Sequence, residues 1–132
     1  MSDKKFILIG LIFIVLGIVL GAIGAHYLET IGIPDDQIDS FTTGTSYLLY
    51  NGLGSIAIGG IAHKFDFELT THYRAILWGT ILFSGSIFAL VLLPVAGIEI
   101  NKFIGPITPI GGLVMIFGWL SMLIKYLRTY KS

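Results

Sequence analysis

Six polar side chains in a mostly apolar sequence are the residues best suited to do chemistry. They are His26, Glu29, Thr43, Tyr47, Asn51 and Thr108. A histidine with a glutamate three residues later can form an ion pair on one helix face, and Asn51 can hydrogen-bond across to the segment that holds His26. Two interpretations stay open: a ligand or proton site, and polar groups that satisfy one another and fix helix register. We favour the second, because a single histidine often does no more than hydrogen-bond.

The sequence offers no pattern typical of catalysis or metal binding. There is no Ser-His-Asp set of any specificity, no glycine-rich phosphate loop followed by lysine, and no dinucleotide fingerprint. The absence of cysteine excludes disulfides, thiolate catalysis and cysteine-bound zinc or iron-sulfur centres. His63 and His72 are predicted to lie on the cytoplasmic side, away from His26, so the three histidines are not expected to share one ion. We predict a protein that is not an enzyme and has no cofactor, no catalytic residue and no metal site.

The composition predicts how these residues are positioned. The chain has 132 residues, of which 55% are hydrophobic and only 12% are charged. Four stretches contain no Asp, Glu, Lys or Arg: 6–28, 40–62, 75–98 and 103–124. Each exceeds the roughly 20 residues with which a helix crosses a hydrocarbon core of about 30 Å. We predict one all-α domain over residues 1–132, an integral membrane four-helix bundle with these four spans.

Basic residues predict the orientation, because they resist translocation across the membrane. All of the eight Lys and Arg residues except Lys102 fall at the two termini or between the second and third stretches. The connection between the first two stretches is instead acidic. Both termini are therefore predicted to be cytoplasmic, and the six polar residues should meet in the outer half of the membrane. The balanced net charge gives no field that would favour nucleic acid.

Small residues recur every fourth position in three of the stretches, a pattern that lets helix backbones approach closely in lipid. These residues are Gly17, Gly21 and Ala25, Ser55 and Gly59, and Gly85 and Ala89. We interpret them as helix-packing positions inside the bundle. A dedicated dimerisation face is the alternative.

Four motifs in order resemble the transmembrane protein 256-like family, also called domain of unknown function 423. They are the GAIGAH of 21–26, the Thr-Gly of 43–44 with Tyr47 and Tyr50, the FSGS of 83–86, and the ITPIGG of 107–112 with the Gly-Trp of 118–119. The resemblance covers nearly the whole chain. It implies a small four-span protein of bacterial inner membranes, with eukaryotic relatives associated with mitochondria and no established biochemical activity. Asn51 stands where the resemblance implies a histidine, which weakens any role that needs two histidines.

We therefore expect a multi-pass protein of the inner (cytoplasmic) membrane that binds lipid or docks onto a larger assembly as an accessory subunit. Its expected partners are membrane lipids, and a neighbouring membrane subunit or a second copy of the chain, but not nucleic acid. The alternative is a transporter or channel for a small solute or protons that uses the six polar residues. Conduction needs polar groups through the whole bundle, and residues 6–17 have none.

Overall fold

The computed structural model describes residues 1–131 and contains helices but no strand within that range. The four long helices are α1 (Asp3–Ala22), α2 (Asp35–Ile61), α3 (Thr70–Leu92) and α4 (Ile107–Tyr130). The prediction of an all-α membrane bundle of four helices is confirmed. We call the end of the bundle where α1 finishes and α2 begins the Pro34 end, and the opposite end, where α2 finishes, the Lys64 end.

Helix α1 continues beyond Ala22 through the π turn Ile23–Tyr27 and one further turn, Leu28–Thr30. Gly32 then adopts a φ of 78°, a left-handed conformation that glycine reaches without strain, and this reverses the chain. Helix α2 follows directly after Pro34. Asp35 and Asp36 lie in its first turn, where carboxylates interact favourably with the positive end of the helix dipole.

Helix α3 begins five residues before the charge-free stretch at 75–98, because a polar residue caps it. Glu68 accepts hydrogen bonds from the backbone N–H groups of Thr70 at 2.8 Å and Thr71 at 3.3 Å. The hydrogen bonds from Thr70 lower the pKa of the Glu68 carboxyl below its ordinary value. At the other end, α3 stops at Leu92, just before the short 3-10 helix Pro94–Ala96.

A short helix, Asn101–Ile104, precedes α4. Helix α4 begins at Ile107, so Pro109 lies in its first turn, where the missing amide donor costs little.

Consecutive helices pack antiparallel. Helix α1 packs along α2, and α3 packs along α4, while α2 and α3 join the two pairs. The close approaches fix the directions: Gly59 meets Ile7 and Gly24 meets Phe41, so α1 and α2 run in opposite senses. Because α2 is likewise antiparallel to α3, α1 and α3 run in the same direction.

Two apolar clusters form the core, one at each end of the bundle. The cluster at the Lys64 end contains Phe6, Ile58, Leu69, Tyr73, Ile76 and Met122, and the rings of Phe6 and Tyr73 meet edge to face at 4.6 Å between centroids. The cluster at the Pro34 end contains Leu28, Phe41 and Val91. The outward faces of α1 and α4 are also apolar and more than half exposed, for example at Val15 and Leu113. An apolar exterior of this kind is suited to lipid.

Within the described range 1–131, three helical segments are both long and apolar enough to cross a membrane: Asp3–Thr30, Thr70–Ala96 and Asn101–Tyr130. Helix α2, with 27 residues, has the length but is less apolar. Its inward face carries Thr45, Asn51 and Ser55, all buried. The polarity of α2 is thus of two kinds. Its first turns, residues 35–43, carry exposed acidic and hydroxyl side chains. Further along, Asn51 and Ser55 are directed into the protein and bond to neighbouring helices, while Thr45 bonds to Thr42 on its own helix.

The glycine register differs from the four-residue pattern that the sequence suggests. Gly17 packs against Leu49, and Gly59 against Ile7, but within residues 1–131 nothing lies within 4 Å of the position of a Cβ at Gly21 or Gly85. Ala25 is exposed, Ala89 is partly exposed, and Ser55 is buried. The predicted packing at Gly21, Ala25 and Gly85 is thus corrected.

The glycines that pack most closely on the first and last helices recur every seventh residue. They are Gly10, Gly17 and Gly24 on α1 and its π turn, and Gly111 and Gly118 on α4. A helix turns about 100° per residue, so a step of seven residues returns to within about 20° of the same face. Steps of four drift by about 40° each, and Gly21 and Ala25 are carried away from α2.

Candidate functional site

The six polar residues predicted to converge are divided among three places. His26 and Glu29 are both exposed, and among the described residues no hydrogen bond or ion pair joins them. His26 lies in the π turn of α1. Glu29 borders a hollow of about 400 Å³ between the end of α1 and the start of α2, with Asp35 and Thr42 opposite. The predicted pairing of His26 with Glu29 is not formed.

Thr43 and Thr108 line a second hollow, a polar cleft of about 430 Å³ at the Pro34 end. Thr43 donates its hydroxyl to the carbonyl oxygen of Asp39 on its own helix at 3.1 Å. The hydroxyl oxygens of Thr108 and Ser86 are 2.5 Å apart and join α4 to α3. Thr108 therefore joins two helices, Thr43 bonds within α2, and the cleft that both line does not include His26.

Asn51 lies at the centre of a buried polar contact between α2 and α4. Its side-chain carbonyl oxygen accepts the indole N–H of Trp119 at 2.8 Å. Its amide nitrogen donates to the backbone oxygen of Tyr47 at 2.9 Å and to the sulfur of Met115 at 3.0 Å. The sequence predicts a bond from Asn51 to α1, and this is wrong. The next residue, Gly52, faces α1 at Gly10, so Asn51, one step of about 100° round the helix, points elsewhere.

The contact extends from Asn51 toward the Lys64 end. Ser55 donates its hydroxyl to the backbone oxygen of Asn51 at 2.6 Å and accepts the hydroxyl of Tyr73 at 2.7 Å. A chain of hydrogen bonds thus joins Trp119 on α4, Asn51 and Ser55 on α2, and Tyr73 on α3. We call it the Asn51 network. Within residues 1–131, every buried side-chain nitrogen and oxygen has a hydrogen-bond partner.

A further hydrogen bond between helices, outside the Asn51 network, lies nearer the Pro34 end. Ser84, fully buried on α3, donates its hydroxyl to the backbone oxygen of Gly44 on α2 at 2.7 Å. Gly44 allows this approach because it has no side chain between the helices, and a Cβ there would lie 3.0 Å from the ring of Phe88. The bond helps to hold the two helix pairs together.

A sideways-opening groove separates α2 from α4 outside the Asn51 network. Its first part has a volume of about 570 Å³ and is lined by Tyr47, Tyr50, Asn51, Met115, Ile116, Trp119, Leu120 and Leu123. A second part, of about 330 Å³, continues toward the Lys64 end and is lined by Ile61, Lys64, Phe65, Trp119, Met122, Leu123 and Tyr126. Trp119 and Leu123 belong to both parts. We call the two parts together the α2/α4 groove.

Trp119 crosses this groove because α2 has a glycine opposite it. A Cβ at Gly54 would lie 2.9 Å from Cζ2 and Cη2 of the indole ring. Trp119, Met115 and Tyr73 are not among the six site residues predicted from the sequence. The spacing could have indicated Met115 and Trp119. These two residues are four apart on α4, as Asn51 and Ser55 are on α2, and residues four apart share one face of a helix.

The fold and the groove define an all-helical membrane protein whose internal polar groups are paired with one another. The model of the family described as "Protein of unknown function (DUF423)" matches residues 20–112, and the chain belongs to this family. The resemblance inferred from the four motifs is thereby confirmed.

The relatives of this chain are called membrane proteins. A UPF0382 membrane protein of Staphylococcus epidermidis is 34% identical over 125 residues, which cover 95% of this chain and 97% of the relative. The UPF0382 membrane protein YwdK of Bacillus subtilis is 37% identical, with 94% and 99% covered. One from Schizosaccharomyces pombe is 36% identical, with 83% and 90% covered. No solved structure matches the chain.

Proposed function

We propose that this chain is a non-catalytic component of the cytoplasmic membrane that acts by binding lipid or by docking onto a neighbouring membrane protein. The observation that carries the proposal is the pairing of the interior polar groups. Every buried side-chain nitrogen and oxygen in residues 1–131 is hydrogen-bonded. An interior of this kind holds helices together, and the surface that remains for interaction is the apolar exterior with its groove.

We propose further that the chain crosses the membrane four times, with both termini in the cytoplasm. Helices α1 and α3 run in the same direction, so a chain that crosses with both must return between them. Helix α2 lies antiparallel alongside both and has the 27 residues required. The basic residues at the Lys64 end, such as Lys5, Arg74 and Arg128, favour the cytoplasm for that end.

The packing of α1 and of the Lys64 end weighs against a transport function. The buried residues of α1 are Phe6, Gly10, Phe13 and Gly17, none of which has a polar side chain. At the Lys64 end, Phe6 packs against Tyr73 and Ile58 in the apolar cluster. A conduction path requires polar or ionisable groups along its whole length, and the polar cleft with Thr43 and Thr108 occupies only the Pro34 end.

Native mass spectrometry after extraction of the full chain in a mild detergent tests the proposal. We expect the chain with retained phospholipid, or within a complex larger than its own small oligomer. A lone oligomer that carries no lipid and whose thermal stability rises with an added small solute would contradict the proposal. That result would favour transport through the polar cleft, and Thr43→Val should then abolish the solute effect while leaving the basal stability nearly unchanged.

A further inference from the structure

We propose that the α2/α4 groove binds one acyl chain of an anionic phospholipid, with the lipid headgroup on Lys64 and the chain extending to Trp119. This deepens the proposed function by naming the class of lipid. It rests on three observations: the groove is apolar along its length, a cation without a protein partner stands at its end, and the distance between the two suits one leaflet.

The groove is apolar over the part that the chain would occupy. Between Lys64 and Trp119 its lining consists of Ile61, Phe65, Met122, Leu123 and the ring of Tyr126. Deeper in the groove, the amide of Asn51 is already bonded to Tyr47 and Met115, and its carbonyl accepts from Trp119. The hydroxyl-bearing side chains of this deeper lining, Tyr47 and Tyr50, are exposed. No interior polar group is thus left for a polar ligand, and hydrocarbon is the matching occupant.

Lys64 supplies the charge that selects the headgroup. It is exposed, it borders the groove, and within residues 1–131 it has no hydrogen bond or ion pair. Asp66, the nearest acidic residue along the chain, does not pair with it among the described residues. Lys125 and Arg128 add positive charge at the same end, at the close of α4. An exposed ammonium beside an apolar groove is complementary to a lipid phosphate above an acyl chain.

The length of the groove matches one leaflet. Gly54, against which Trp119 rests, is seven residues before the end of α2 at Ile61, and the 3-10 helix Ala62–Lys64 follows. Seven α-helical residues and three 3-10 residues span about 16 Å. This is close to half of a hydrocarbon core of about 30 Å. A chain whose headgroup is held at Lys64 therefore ends near the indole of Trp119, which makes that indole a reporter of occupancy.

Quenching of Trp119 by brominated lipid tests the proposal. The chain has two tryptophans, so Trp78→Phe leaves Trp119 as the only indole. This variant is placed in nanodiscs of phosphatidylglycerol and phosphatidylcholine with identical acyl chains, one of the two brominated at a time and at equal mole fraction. We expect brominated phosphatidylglycerol to quench Trp119 with a relative binding constant about fivefold above that of phosphatidylcholine, the factor that one lysine near an anionic headgroup contributes.

Charge variants identify the cation responsible. Lys64→Gln should equalise the two lipids, and Lys64→Arg should keep the preference. Arg74→Gln is the matched control, because Arg74 is another exposed cation at the same end that lies outside the groove lining, and it should leave the preference intact.

Three results would overturn the proposal: equal quenching by the two lipids, a preference that survives Lys64→Gln, and a Trp119 that neither lipid quenches. The last would mean that a second copy or another protein covers the groove. Each of these results can be separated from a failure of the proposed function. If the groove showed no headgroup preference, the groove proposal would fail but the proposed function as a non-catalytic membrane component would not. If a lipid-free oligomer were stabilised by a small solute, the proposed function itself would fail.

Discussion

Trp119 on α4 donates its indole N–H to the side-chain oxygen of Asn51 on α2, at 2.8 Å. Helices α2 and α4 do not follow one another in the chain, and the α2/α4 groove runs between them. The bond therefore fixes the separation of the two helices across a surface that is open to lipid. Asn51 is 3% exposed, so the polar atoms at this contact depend on protein partners.

The Asn51–Trp119 bond should couple the two residues energetically. Trp119→Phe leaves the Asn51 oxygen without its donor, and Asn51→Leu leaves the indole N–H without its acceptor. Each single variant should lower the free energy of unfolding by about 1 kcal/mol, and the double variant should lose less than the sum. Reversible unfolding in mixed micelles of mild detergent and dodecyl sulfate measures this cycle. Strictly additive losses would show that the bond contributes nothing.

Glycine should be required at position 79 and dispensable at position 85. A Cβ at Gly79 would collide with the backbone of Met115, whereas nothing among the described residues lies within 4 Å of one at Gly85. Gly79→Ala should destabilise the α3/α4 pair by about 1–3 kcal/mol, the usual cost of overpacking. Gly85→Ala, the matched control on the same helix, should be neutral or slightly stabilising because alanine is the better helix former. Thermal unfolding in detergent compares them, and equal effects would refute the packing register.

Removing the hydroxyl of Ser84 should weaken the contact between the two helix pairs. Ser84→Ala leaves the Gly44 carbonyl with only its helical partner, and the expected loss is about 0.6 kcal/mol, the typical value for such bonds in membrane proteins. Ser46→Ala is a suitable control, because Ser46 bonds only to Thr42 on its own helix. If both variants unfolded alike, the bond between the helices would have no net effect on stability.

Glu68 should stabilise the start of α3 in a pH-dependent manner. Its pKa in the folded chain lies below the ordinary 4.5, owing to the hydrogen bonds from Thr70. A lowered folded pKa means that the stabilisation is fully present above 4.5 and is lost as the pH falls through the folded value. The melting temperature of the unmodified chain should therefore exceed that of Glu68→Gln at neutral pH and converge on it in acid. A difference that grew in acid would contradict the assignment.

The helices could be predicted from the sequence because lipid allows only one solution for long charge-free segments. The start of α2 after Pro34 and of α4 before Pro109 also follow from local chemistry. The early start of α3 does not, because it depends on the cap that Glu68 provides outside the apolar stretch. The charge-free stretch at 40–62 also overstated the apolarity of α2, which begins with exposed acidic residues and buries Thr45, Asn51 and Ser55 further along.

The candidate site was harder to predict, since it depends on how the helices are rotated. A difference of one residue turns a side chain by about 100°, enough to move Asn51 from α1 to α4. His26 and Glu29 are exposed at the end of α1, whereas Thr43 lines a different cleft with Thr108. The seven-residue spacing of Gly111 and Gly118 indicates which glycines pack against a neighbouring helix. The more conspicuous four-residue spacing of Gly17, Gly21 and Ala25 does not.

Cysteine accessibility in intact cells tests the four-pass arrangement most directly, because the chain has no cysteine of its own. Single cysteines at Ile31, Lys64, Lys102 and Lys131 lie in the three connections and at the C-terminal end. A reagent that cannot cross the membrane should label positions 31 and 102 in intact cells, and positions 64 and 131 only after permeabilisation. Labelling of positions 31 and 64 from the same side would show that α2 does not cross, and would contradict the account.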